Sequence, residues 1–188
     1  MAMGTLWYND REGARASASF EGYRTMTRGG VELAQGGVTV SLRDENGNTL
    51  SGYTAGGKVF AIGEADHRYS IVISNNTPAR FEIVASVDGL DVLDGQAASF
   101  SKRGYIVRPH STLEIDGFRR SESTVAAFRF GDVRGSYASR KGDDRNVGVI
   151  GIAVFNESGT PPWPWNPAEV ERRRNADPFP GRFAEPPQ

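Results

Sequence analysis

The sequence predicts an all-β protein, an antiparallel β-sandwich or jelly-roll. Three observations carry that prediction. About seven short stretches alternate apolar and polar residues with the period of two that a half-buried strand imposes. Gly, Asn, Asp and Pro separate them, and the 188 residues include 23 glycines and 10 prolines. Helix signals are scarce, so a layered β architecture is favoured over any α/β fold.

Residues 1–37 show no sustained period of two or 3.6, yet carry Trp7, Tyr8, Phe20 and Tyr23. They read as an N-terminal arm with aromatic anchors, Trp7 and Tyr8 foremost. The body is expected over residues 38–157. "VTVSLR" places Val38, Val40 and Leu42 on one face, and "DENGN" then supplies Asn46-Gly47, a pair favoured where a tight hairpin needs positive φ. "YSIVISN" and "RFEIVASV" read as two amphipathic strands joined by the turn "NNTP". "DGLDVLDG" holds two Asp-Gly pairs around three apolar residues, which predicts a compact loop that turns twice. "GYIVRP", "STLEIDGF" and "STVAAFRF" continue the series, each with one wet face.

The last of these stretches differs. "RNVGVIGIAVF" is apolar on both sides, with Val147, Val149, Ala153 and Phe155 on one and Ile150, Ile152 and Val154 on the other. Gly148 and Gly151 within it mark a bulge or the close approach of another backbone. Burying Ile150, Ile152 and Val154 is worth about 1.5–3 kcal/mol each, so something must cover them. Two covers are open: the chain's own arm or tail, or a neighbouring subunit.

Residues 158–188 form a tail that holds eight of the ten prolines. Proline lacks a donor and fixes φ, so this segment cannot join a central sheet. "PAEVERRR" within it suits one or two helical turns begun by Pro167. Trp163, Trp165, Phe179 and Phe183 in such a context are anchors for docking an extended chain, either on the domain itself or in a partner's groove.

Composition narrows the function classes. With 22 basic and 23 acidic side chains the net charge is −1, and nothing global draws the chain to nucleic acid or an anionic membrane. A mildly basic run between Gly117 and Asn146 reads as a solvated face. There is no cysteine, which removes disulfides, thiolate metal sites and thiol nucleophiles together. The start of the chain has no apolar run of signal-peptide length, and no stretch is long enough to span a bilayer.

Chemistry is sparse. His67 and His110 lie in different turn regions without an "HxH" or "HxxxH" companion, so no metal is expected. No cofactor is expected either, because P-loop, "GxGxxG" and "GxSxG" patterns are lacking, and "VGVIG" has no helix after it. Asp88, Asp91 and Asp94, with Asp143 and Asp144, admit paired carboxylates for glycoside hydrolysis or a calcium site. Turn-forming aspartates explain them more cheaply.

The stretches "SVDGLDVLDG", "GYIVRP", "IDGFRRS", "VAAFRF", "SYASRKGD" and "NVGVIGIAVF" carry a resemblance. From about Phe81 to Glu157 the chain resembles an uncharacterised β-rich domain of proteins from bacteria and from phages or other large DNA viruses. The resemblance covers 77 of 188 residues and implies a β domain with no catalytic residues to carry over. The function expected is that of a non-enzymatic structural protein. It would pack into a virion or extracellular surface assembly through its arm, its tail and the strand face of Ile150, Ile152 and Val154. Its partner would be another protein or further copies of itself. The alternative is a carbohydrate-binding module that stacks a glycan on Trp7, Tyr8, Tyr53 or Tyr105.

Overall fold

A computed structural model describes residues 1–14, 24–26, 28–119, 124–131 and 148–158. Two mostly antiparallel sheets pack face to face, a β-sandwich as the alternation predicts. The strands are β1 (Ala2–Asn9), β2 (Arg24–Met26), β3 (Gly30–Leu33), β4 (Val38–Asp44), β5 (Gly52–Ala55), β6 (Lys58–Ile62) and β7 (Arg68–Asn75). They continue as β8 (Phe81–Val87), β9 (Leu90–Asp91), β10 (Tyr105–Val107), β11 (Ser111–Ile115), β12 (Gly117–Arg119), β13 (Val125–Arg129) and β14 (Val149–Asn156). The larger sheet runs β10-β8-β14-β1-β6-β5-β2, with β9 beside β8. The smaller runs β12-β13-β7-β4-β3, with β11 also on β7.

Each turn follows from its residues. The Asp44 carboxylate accepts N–H bonds from Asn46 (2.9 Å) and Asn48 (2.8 Å), which closes the Asn46-Gly47 turn after β4. β5 and β6, for which the sequence raised no expectation, are a hairpin across Gly56-Gly57, a glycine pair that supplies the positive φ such a turn needs. Asp88 (φ 55°) and Gly89 (φ 81°) form the two-residue link between the paired Val87 and Leu90. The "NNTP" turn is built on Asn75, whose amide donates to the Ala79 (2.7 Å) and Arg108 (2.9 Å) carbonyls while its oxygen accepts from Thr77 N–H (2.9 Å) and Oγ1 (2.7 Å).

The N-terminal arm is corrected over its first nine residues. β1 lies inside the larger sheet, antiparallel to β14 from Ala2↔Val154 to Trp7↔Val149 and parallel to β6 at Trp7↔Phe60. Its inward set is Ala2, Gly4, Leu6 and Tyr8, and two small residues in that set conceal the period of two. Gly4 must be small. A Cβ there would stand 2.5 Å from Leu33 Cδ2, because β3 of the opposite sheet crosses over β1 at this point.

The two-faced strand is β14, and the opposite sheet covers its inner face, with Leu33 of the expected arm among the covering residues. β14 lies between β1 and β8, with Ile152 opposite Gly4 on one side and Ala85 on the other. Ile150, Ile152 and Val154 are 0 %, 1 % and 0 % exposed in the single chain. They pack in the main core with Leu33, Val38, Val40, Leu42, Ile71 and Ile73 of the smaller sheet. The interaction face expected at these three residues is therefore corrected: the opposite sheet fills it, and no surface is left for a second molecule. On the other side of β14, Ala153 packs with Val84 and with Ala98 of the loop after β9, flanked by Met3 and Phe155.

Candidate functional site

Alternation along β10, β8 and β14 decides what the outer face of the larger sheet presents near the end of β14. Ile106 stands opposite Glu82, and Glu82 stands opposite Phe155, so the three share one face. Tyr105 and Val107 on either side of Ile106 face the core. Ile106 is 42 % exposed and Phe100 is 38 % exposed, while Phe155 is half-buried. Phe100 and Phe155 meet edge to face with ring centroids 6.4 Å apart. Glu82 lies between Ile106 and Phe155 in the sheet, and its carboxylate accepts the Gly104 N–H at 2.8 Å. The result is a small apolar patch at the β10 edge of the sheet. "GYIVRP" contained a signal for it: three consecutive apolar residues in a strand must send one outward.

The expected arm anchors part company. Tyr8 points inward, where its ring meets Phe130 (5.2 Å, edge-on) and Tyr69 (5.8 Å), and it is only 9 % exposed, which corrects its role as an anchor. Trp7 points outward, half-buried, beside Phe60 (6.1 Å) and under the Lys58 ammonium (5.3 Å). A cleft of about 430 Å3 opens at this end of the sandwich, lined by Trp7, Tyr8, Phe60 and Phe130 together with Asn9 and Asp10. The four glycan candidates do not form one platform. Tyr53 is fully buried and stacked on Phe60 at 4.7 Å, and Tyr105 lies on the other edge beneath the Arg119 guanidinium.

Asp88 sits behind the Tyr8 hydroxyl, with both carboxylate oxygens 3.4 Å from it, and accepts the Gly148 N–H at 2.7 Å. Its own N–H donates to the Val149 carbonyl at 2.8 Å, and the Tyr8 N–H donates to the Gly148 carbonyl at 3.0 Å. Gly148 takes φ 83°, a conformation few residues other than glycine adopt, to begin β14 here. Burial pushes the Asp88 carboxyl up to about 6, against the hydrogen bonds from Gly148, Val149 and Tyr8 that favour its charged form. Burial also pushes the Tyr8 and Tyr69 hydroxyls far above their ordinary range, so both stay neutral. This cluster joins the ends of β1, β8 and β14.

Asp91, 1 % exposed, accepts the Leu93 N–H at 2.8 Å, and burial raises its carboxyl. Asp94 is paired with Lys102 at 2.8 Å; partial burial works upward on it, but Lys102 and the Gln96 N–H outweigh that and hold it below the usual range. Asp88 and Asp91 thus turn their oxygens to backbone N–H groups. His67 faces Glu45 at 3.0 Å in an exposed turn, and His110 is exposed at φ 49°. Among the described residues no three His, Cys, Asp or Glu gather as metal ligands, and no helix is long and apolar enough to cross a membrane. Trp163, Trp165, Phe179 and Phe183 lie outside the described residues, as do Val147, Asp143 and Asp144. No protein-family model, no curated protein and no solved structure matches this chain.

Proposed function

We propose that this protein is a non-enzymatic structural component, a rigid β-sandwich whose proline-rich tail ties it to neighbouring copies in a virion or surface assembly. The observation that carries the reading is the exposed patch of Ile106, Phe100 and Phe155, near the end of β14, the last strand among the described residues. The inner face of β14 is clad by this chain, which leaves the outer patch at Phe155 and the tail as the adhesive elements this reading uses. The body supplies stiffness, since its core is continuous from β1 to β14. Large aromatics on a prolyl segment supply anchoring at low entropic cost.

The test is the Phe179→Ser, Phe183→Ser double variant, followed by light scattering over a range of concentrations. The reading expects the wild-type mass to rise with concentration and that of the variant to stay at the monomer value. Identical masses for the two would count against it.

Glycan capture is a second reading, favoured by the half-buried Trp7 at the rim of an aromatic cleft with Asn9 and Asp10 beside it. A glycan array probed with the wild type and with Trp7→Ala tests it. A signal that Trp7→Ala abolishes would move the function to this cleft.

A further inference from the structure

We infer that Asp88 is a proton-operated latch on one corner of the sandwich. With its proton it holds Tyr8 of β1 and Gly148 at the start of β14 together, and without it this corner opens to water. The device lies outside the assembly reading and does not depend on it.

One carboxyl is the fastening point here. Asp88 is 4 % exposed and lies in the two-residue link between β8 and β9. Its Oδ1 accepts the Gly148 N–H at 2.7 Å, and both its oxygens stand 3.4 Å from the Tyr8 hydroxyl. Backbone bonds close the corner around it, from the Asp88 N–H to the Val149 carbonyl (2.8 Å) and from the Tyr8 N–H to the Gly148 carbonyl (3.0 Å). The paired register of β1 and β14 stops one step earlier, at Trp7↔Val149. Strand ends open at a lower free energy than strand centres, so this corner parts before the middle of β14 does.

The surroundings offer an ionised carboxyl little. β1 presents the Tyr8 phenol and β7 presents Tyr69, and burial keeps both neutral. β14 presents the backbone of Gly148 and Val149, and the Phe130 ring packs on Tyr8 and Tyr69. Of the charged side chains close by in sequence, Asp10 accepts the Gly13 N–H, Asp91 accepts the Leu93 N–H, His67 faces Glu45 and Arg68 is exposed. Among the described residues no cation pairs with Asp88.

Both protonation states keep their contacts while the corner is closed. Neutral, Asp88 accepts from Gly148 on one oxygen and can donate from the other to the Tyr8 oxygen; ionised, it accepts from both groups. The difference is desolvation, because the carboxylate gives up its water for N–H groups and a phenol without a cation. Opening the corner returns that water. Burial accordingly lifts the carboxyl to about 6 from an ordinary 3.8, so the closed corner binds the proton more tightly than the open one. Closure is fully favoured below about pH 4 and loses that advantage as pH rises through 6, by up to about 100-fold in the opening equilibrium. Tyr8 and Gly148 also line the cleft at Trp7. Acid therefore fixes that wall of the cleft, and neutral pH loosens it.

The test is amide hydrogen exchange, followed by NMR on the full chain from pH 4 to 8, with each rate divided by its intrinsic rate. The Tyr8, Asp88 and Gly148 amides report the corner, and the Ile152 amide reports the middle of β14. The expected result is that the corner amides open more readily than Ile152 at every pH. Between pH 4 and 8 they should lose up to about 100-fold of protection. Asp88→Asn should abolish that pH dependence at Tyr8 and Gly148. Asp91, whose carboxyl burial also raises, acts at the Leu93 amide and keeps its own effect in the variant. Should the variant disturb the fold, carbon-13 NMR of the wild-type Asp88 carboxyl takes its place, with a midpoint near 6 expected. Corner amides whose protection stays constant with pH, or that open only together with Ile152, overturn the latch. So does a pH dependence that Asp88→Asn leaves unchanged, or an Asp88 midpoint in the ordinary carboxylate range.

Discussion

The Tyr8 hydroxyl lies 3.4 Å from both carboxylate oxygens of Asp88, eighty residues away in the chain, and the pair is buried where β1 and β8 end and β14 begins. A carboxyl in that position is held by hydrogen bonds and opposed by desolvation, and desolvation wins.

Stability should therefore carry a term that falls as pH rises. The folded Asp88 carboxyl titrates at about 6 against an ordinary 3.8. The folded state thus binds the proton more tightly than the unfolded one. The contribution is fully present below pH 4 and is lost as pH rises through 6. A shift of about two units corresponds to about 3 kcal/mol. Asp44 and Asp94, held below their usual range, work in the opposite sense, so the comparison must be made with Asp88→Asn. Asparagine tolerates the positive φ and can still accept from Gly148. Urea unfolding from pH 4 to 8 should show the variant gaining on the wild type by about 1–3 kcal/mol toward neutral pH. A difference that does not change with pH would contradict the assignment.

The two faces of the larger sheet should respond in opposite ways. Ile152→Ala leaves a cavity between the sheets and should cost about 2–5 kcal/mol in chemical unfolding. Ile106→Ala, at an exposed position, should stay within about 0.5 kcal/mol. Comparable losses at both sites would mean that the outer patch is part of the core.

Asn75 is 2 % exposed and makes four hydrogen bonds that join the turn after β7 to the turn after β10. Asn75→Ala strands the Thr77 donors and the Ala79 and Arg108 carbonyls and should cost about 2–4 kcal/mol. Asn75→Asp should also destabilise, because a carboxylate cannot donate to those two carbonyls. A drop below about 1 kcal/mol for the alanine variant would show that water replaces the amide.

Much of the fold was legible because its signals are local. The alternation of Val38, Val40 and Leu42, the Asn46-Gly47 turn and the Asp88-Gly89 turn all depend on a few neighbouring residues. β1 was not legible, since Ala2 and Gly4 hold inward positions where bulk would have shown the period, and Gly4 is small only because Leu33 crosses it. β5 and β6 carried a usable cue in Gly56-Gly57, but the run around it is short. The double-sided apolarity of β14 is a local signal that it needs cover. What covers it depends on β4, β7 and the Ala98 loop, contacts distant in sequence that no local pattern encodes. The same limit hid the patch, because Ile106 and Phe155 become neighbours only when β8 is placed between β10 and β14. The aspartates of "DGLDVLDG" read as turn formers, and the partnership of Asp88 with Tyr8 has no signal short of the folded chain.

Sedimentation velocity on the full chain and on residues 1–158, each over a range of concentrations and with circular dichroism to confirm a folded body, tests the role of the tail most directly. The account predicts that the full chain associates as concentration rises, while the shortened chain keeps its β signature and sediments as a monomer. A shortened chain that assembles as the full one does would remove the tail from the mechanism.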